Sequence, residues 1–179
     1  MPRGVNDPDR PRRIASAAVE VIAESGIEGL THRAVAERAQ VPLGSTTYHF
    51  KTRDDMMAAA IIEAKRHTDA ELEEWSDNLA DGKDLVQELV AYLRTLVTTH
   101  WTRTVVEHEL YLAALRRPPL QKLSHEWQAK LPDVLSRHTD RLTAEALSLA
   151  FDGLLLQSMI LGSAPDLEDV TKVLRRITG

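Results

Sequence analysis

Between Leu43 and Phe50 the chain reads Gly44-Ser45-Thr46-Thr47-Tyr48-His49, a run of small and hydrogen-bonding side chains with Val41-Pro42 before it and Lys51 after it. Glycine, serine and threonine are weak helix formers, so a short helix of this kind makes poor sense as core. It makes better sense as a contact element. Its slim leading end lets the backbone approach closely, and its hydroxyls and imidazole can hydrogen-bond to an edge such as that of a base in a major groove. The histidines and acids further on, His100, Glu107, His108 and His125, tempt a metal reading, but His100 and His108 lie more than two turns apart and the set matches no ligand spacing. There is no Ser-His-Asp arrangement, glycine-rich phosphate loop or catalytic carboxylate pair, and no cysteine at all. No enzyme activity, cofactor or metal is expected.

Helices must position that stretch. Residues 11–25 carry Ile14, Ala17, Ala18, Val21 and Ile22 on one stripe closed by Gly26, and Thr31 is placed to cap a short helix through Ala34, Val35 and Ala39. Val41-Pro42 breaks it, and a second short helix follows over residues 43–49. Two short helices joined by a tight turn, set between amphipathic ones, form a helix-turn-helix signature. Thr52-Arg53-Asp54-Asp55 starts the next helix with a capping-box-like acid, and neither glycine nor proline interrupts it before Asp81-Gly82. Beyond that lie helices over residues 85–97, 102–116 and 120–137, the last of which Pro132 should kink or split. Thr143 then caps a helix that is apolar nearly all round, and residues 166–177 form a final helix with acids first and bases last, as the helix dipole prefers. No alternating strand pattern appears. The expected fold is all-α, with about nine helices.

The residues Thr31-His32-Arg33-Ala34-Val35-Ala36-Glu37-Arg38-Ala39, then Val41-Pro42-Leu43-Gly44-Ser45, then Tyr48-His49-Phe50-Lys51 with Arg53 and Met56, resemble the DNA-binding head of the TetR family of bacterial transcriptional regulators. The resemblance covers residues 12–60; beyond Gly82 it is architectural only. It implies a three-helix head with a basic N-terminal arm over residues 1–52, a connecting helix over 53–81, and a helical ligand-binding and dimerisation domain over 82–179. By the same resemblance Arg33, with His32 beside it, reaches a base or phosphate, and Ser45, Thr46 and Thr47 form the base-reading edge. Gly44 permits close approach, while Tyr48, His49 and Arg53 contact phosphate. Ala36, Val41 and Phe50 match packing positions. Thr47 stands where the family most often has tyrosine, Pro42 where a capping serine is common, and Leu43 where a polar or basic residue is frequent.

The implied partners are a palindromic double-stranded DNA operator, a second copy of the chain and a small-molecule effector that releases a repressor from its site. The alternative is an effector-independent architectural or nucleoid-associated DNA binder. Candidate pocket residues on the middle helices are Tyr92, Leu96, Trp101 and Leu110, with Tyr111, Trp127, Leu155 and Met159. A helix apolar on nearly every side leaves one side uncovered in so small a body unless a partner supplies the cover. The dimer face is therefore expected on the last two helices, at Ala146, Ala150, Gly153 and Leu154, with Gln157, Leu167, Val170 and Leu174.

Charge and composition agree with such a division. Up to Arg53 the chain has eight basic and six acidic residues, net +2, and the remainder has 14 basic and 21 acidic, net −7. A basic head on an acidic body suggests a polyanion partner for the head alone. The Arg10-Pro11-Arg12-Arg13 stretch reads either as an arm entering a minor groove or as a disordered basic tail. The first residues lack the apolar core of a signal peptide, and the uncharged run over residues 153–165 is shorter than the ~18 residues a membrane span needs. A cytoplasmic protein with no membrane partner is expected.

Overall fold

The computed structural model describes residues 7–79 and 82–179. Among them are ten α-helices: α1 (Arg10–Ser25), α2 (His32–Arg38), α3 (Leu43–His49), α4 (Arg53–Asp77), α5 (Leu85–Val97), α6 (Trp101–Ala113), α7 (Pro118–Gln128), α8 (Lys130–Leu135), α9 (Arg141–Leu161) and α10 (Leu167–Thr178). The described residues contain no strand. The 120–137 segment divides at Ala129, and Pro132 falls in the first turn of α8, where its missing N–H has no helical acceptor to lose.

The chain packs as two compact units. One holds the residues up to His67 together with Val106–Ser124, and the other holds Thr68–Val105 and His125–Gly179. Sequence punctuation instead divides the chain at Asp81-Gly82, of which Asp81 lies outside the described residues. The crossings fall inside α4, α6 and α7, which carry no glycine or proline there to mark them.

In the first unit, α1 buries Ile14, Ala17, Ala18, Val21 and Ile22, and α2 packs on it through Val35 and Ala36. α1 stops at Gly26, whose φ of 66° suits glycine. Thr31 Oγ1 accepts the Ala34 N–H at 3.2 Å, so the expected cap of α2 is in place. The turn from α2 to α3 closes with Gln40 N–H to Glu37 O at 3.2 Å and Val41 N–H to Ala36 O at 3.0 Å, a Schellman pair. That motif places Gln40 in the left-handed region, at φ 53°. Gln40→Gly should relieve a penalty of about 1 kcal/mol, partly offset by glycine's looser unfolded state. The expected result is a modest rise in the thermal midpoint with operator affinity unchanged, read by circular dichroism and binding titration.

α4 begins with a reciprocal capping box. Thr52 N–H donates to Asp55 Oδ2 at 2.8 Å, and Asp55 N–H donates to Thr52 Oγ1 at 3.0 Å. Two turns further, the buried Glu63 carboxylate accepts from Arg66 at 2.9 Å, Ser16 at 3.3 Å and Arg12 at 3.5 Å, tying α1 to α4. The Arg66 hydrogen bond is the main reason that carboxyl sits below its usual range.

In the second unit, α9 packs against α5, α8 and α10. Their shared core holds Leu89, Leu93, Val134, Leu135, Leu147, Phe151, Val170 and Leu174. Asp140, not Thr143, caps α9: its Oδ1 accepts from Leu142 N–H at 3.0 Å and Thr143 N–H at 3.1 Å. A carboxylate three residues before the threonine takes the cap because it serves two N–H groups with one oxygen. Asp166 caps α10 in the same way. α9, with 21 residues, is long and apolar enough by length and composition to cross a membrane, a test the core helix of a helical bundle also passes. It exceeds the uncharged run because Arg141, Glu145 and Asp152 are diluted by the leucines around them.

Glu73 on α4 is held by Arg137, at 2.6 Å, and by Lys130, and these hydrogen bonds bring its pKa from 4.5 down to about 2. A carboxyl whose pKa falls on folding stabilises the protein above its unfolded value, and that contribution is lost as pH drops through the folded one. Thermal midpoints should therefore fall more steeply between pH 4.5 and about 2 in the wild type than in Glu73→Gln, the two curves converging at the acid end.

Candidate nucleic-acid interface

α3 has seven residues and buries one of them. Pro42 precedes it as the N-cap, with φ −57° and ψ 142°, and its carbonyl accepts the Ser45 N–H at 2.8 Å. Leu43, Gly44, Thr47 and Tyr48 are exposed, Tyr48 by 73%, while Ser45 and His49 are half-buried. Beyond its chain neighbours and the backbone of its own helix, no atom lies within 4 Å of the place a Cβ on Gly44 would occupy, so the leading end is open to a close approach. The Tyr48 ring meets His49 edge-on at 5.1 Å, and Lys51 Nζ stands 5.6 Å from its centroid.

One expectation is corrected here, and the placement of a second candidate, Arg53, is now defined. Thr46 is fully buried, and its hydroxyl bonds the Leu43 carbonyl at 2.8 Å and the His32 carbonyl at 3.4 Å. It fastens α3 to the start of α2 and cannot meet a base edge. Arg53 turns back onto the head, donating to the Ile27 carbonyl and lying 3.5 Å from Glu28. Its guanidinium holds the turn ahead of α2, whose Ile27 carbonyl also accepts the Leu30 N–H at 3.1 Å and lies within reach of the first residue of α4. Arg38 is likewise spent on Glu20 and Glu24 of α1.

On and beside α2 and α3 the cations left for a polyanion are Arg33 and Lys51, both exposed and without an ion-pair partner among the described residues. Lys51 was not among the sequence candidates. Its signal was there, as a base one residue past the aromatic end of the short helix. His32 is half-buried, its Nδ1 without a partner among the described residues. The supposed arm is neither free arm nor tail at Arg10, Arg12 and Arg13. These open α1, with Arg10 and Arg13 on Asp7 at 3.8 and 3.0 Å and Arg12 on Glu63.

The profile of the bacterial regulatory proteins of the tetR family matches residues 14–60, and that of the tetracyclin repressor-like C-terminal domain matches residues 80–179. The chain belongs to the TetR family. It is similar to the multidrug binding protein EbrR complexed with imidazole, at 42% identity over 96% of each chain with a TM-score of 0.85. It is also similar to the TetR family member SCO1917 from Streptomyces coelicolor A3, at 42% identity over 95% of this chain and 98% of that one, TM-score 0.82. The HTH-type transcriptional regulator PksA of Bacillus subtilis is 27% identical over 89% of this chain and 83% of its own length. The helix-turn-helix of α2 and α3 is thus the DNA-binding element of a TetR-family transcriptional regulator.

The C-terminal candidates of this TetR-family chain divide sharply. Val170 and Leu174 are buried in the core of their own protomer, so neither is available to a partner: α10 turns that stripe inward onto α5 and α9. Ala150, Leu154 and Leu167 lie half-buried against the same core. Gly153 and Gln157 are exposed and Ala146 is half-buried. The residues that stand out instead are Leu142, Leu149, Leu156 and Ile160, exposed by 76, 72, 42 and 75%. With Ala146 and Gly153 they recur alternately four and three residues apart along α9, a heptad seam that was present in the sequence but hidden among its other apolar residues.

Of the pocket candidates, Tyr92, Leu96 and Leu155 are in the core of the second unit, with Trp101 and Met159 packed against it. Trp127 belongs to that unit and is half-buried, whereas Leu110 and Tyr111 belong to the first unit. Trp75, on the connecting helix, was not among the candidates. Its ring lies 5.9 Å from Tyr92, which stacks on Phe151 at 5.8 Å, and its indole N–H is buried with no acceptor among the described residues. A groove of about 380 Å³ between α5 and α10, lined by Gln87, Val90, Arg94 and Leu167 among others, contains none of the pocket candidates.

Proposed function

We propose that this regulator is a cytoplasmic repressor that binds a palindromic operator as a homodimer and leaves it when an aromatic, cationic small molecule binds the second unit. The observation that carries the proposal is the edge of α3: exposed along Leu43, Gly44, Thr47 and Tyr48, and flanked by the uncommitted cations Arg33 and Lys51. A single head offers few contacts, and two heads spaced about 34–36 Å apart on one face of a duplex supply the rest. The apolar seam of α9 supports the pairing.

The effector class is supported by EbrR, whose structures are complexes with ethidium, proflavin and malachite green as well as imidazole. In this chain the Trp75, Tyr92 and Phe151 rings offer a stacking row, and the unpaired indole N–H offers a donor. α4 is continuous from the capping box at Thr52 to Asp77, so Trp75 lies on the same helix that follows α3. A coupling of about 1–3 kcal/mol between effector and operator would release DNA several-fold to a hundredfold.

The experiment is selection of binding sites from fragmented genomic DNA, followed by titration of the recovered operator with malachite green, which unlike ethidium is not a planar intercalator. A palindromic consensus and release by the dye are expected. Tight binding without sequence preference would favour the architectural role, and a consensus unaffected by the dye would leave the repressor and remove this effector class.

A further inference from the structure

We infer that α3 reads the C5-methyl groups of thymines, with Leu43 as the residue that selects them, so that each half-site carries a thymine opposite the leading end of the helix. This rests on the assignment of α3 as the recognition helix and adds what that helix recognises.

Two of the four hydroxyls that make α3 look polar in sequence are spent within the head. Thr46 is buried and bonded to two carbonyls. Thr47 is exposed, but its hydroxyl proton goes to the Gly44 carbonyl at 3.3 Å, leaving a side chain that can only accept and whose methyl is its other group. Leu43, the first residue of α3, is 47% exposed. An exposed leucine elsewhere would mean little. Here it stands at the end of the helix that meets base edges first. Leu43 and Thr47 are also i and i+4 neighbours, so the isobutyl group and the threonine side chain lie side by side. Between them Gly44 adds nothing that would hold a base pair away, its Cβ position being open.

In the major groove adenine, guanine and cytosine present donors and acceptors, and thymine alone adds a methyl group. A leucine facing a bare donor would desolvate it without compensation. The thymine methyl is therefore the one base-edge group that this surface complements, while Ser45 and Arg33 remain for polar contacts.

Deoxyuridine differs from thymidine by that methyl alone, which makes the test direct. Each thymine of the selected operator is exchanged for uracil in turn, and affinity is measured at fixed salt. At one symmetry-related pair the wild type should weaken about four-fold per half-site, the equivalent of one buried methyl. Leu43→Ala, which removes an exposed side chain and should leave the circular dichroism and melting curve unchanged, should bind the thymine operator more weakly and be indifferent to uracil at that pair. Leu43→Gln, passed through the same selection, should shift that position from thymine towards adenine, which glutamine can contact in bidentate fashion. Sequence-specific binding by the wild type with every exchange neutral would overturn the inference. So would an exchange that costs Leu43→Ala as much as the wild type. A wild type with no sequence preference would overturn the recognition-helix assignment and this inference with it.

Discussion

Arg33→Ala should weaken binding to the selected operator by about ten- to a hundredfold per half-site if the guanidinium grips a base, the range of about 1–3 kcal/mol expected of one bidentate contact. Arg33 is exposed near the start of α2, and its guanidinium is unclaimed by any carboxylate among the described residues. Its removal therefore leaves nothing unpaired in the head, and the loss is confined to the complex. Tyr48→Ala should act in the same direction, since a ring exposed by 73% has nothing in its own protomer to stabilise beyond the His49 and Lys51 contacts. The two variants separate by salt dependence. A cation serving a phosphate lowers the slope of log affinity against log salt by about one when removed, and a neutral phenol does not. Titrations at several salt concentrations, with melting curves and sedimentation as controls, decide the matter. Unchanged affinity in both variants would remove α2 and α3 from the interface.

Much of the head was legible because its caps are local. Thr31, Gly26 and the Thr52–Asp55 box act within four residues, and the sequence places each where the structure has it. What could not be read was the rotation of a seven-residue helix about its own axis. In a run of Ser-Thr-Thr, nothing in composition says which threonine faces inward, and Thr46 was settled by the position of the His32 carbonyl on another helix. The contacts of Arg53 within the head were hidden for a related reason. A cation at a helix start has the reach to serve a phosphate or a nearby carbonyl, and only the path of the Ile27 turn decides between them. The grouping of Val106–Ser124 with the head is likewise tertiary, since it cuts three helices that sequence punctuation leaves whole.

Leu149→Glu combined with Leu156→Glu should convert a dimer into a monomer that keeps its fold. Both leucines are exposed in the isolated protomer, so carboxylates there remain solvated and far-UV circular dichroism should not change. Across a seam between two copies the same carboxylates would be buried without partners, at a cost of several kcal/mol per charge. Sedimentation equilibrium should then report half the wild-type mass. Operator affinity should fall by about a hundredfold or more, because the second head loses the effective concentration that tethering gives it. Val170→Glu tests the opposite residue set. Val170 sits inside the protomer's own core, and a charge there should unfold the second unit rather than separate two intact copies. The heptad recurrence of Leu142, Leu149, Leu156 and Ile160, with the small residues Ala146 and Gly153 between them, is thus a claim about which side of α9 a partner covers. A double variant that still sediments as a dimer would place the partner elsewhere, and would leave a row of exposed leucines on a 21-residue helix without a role.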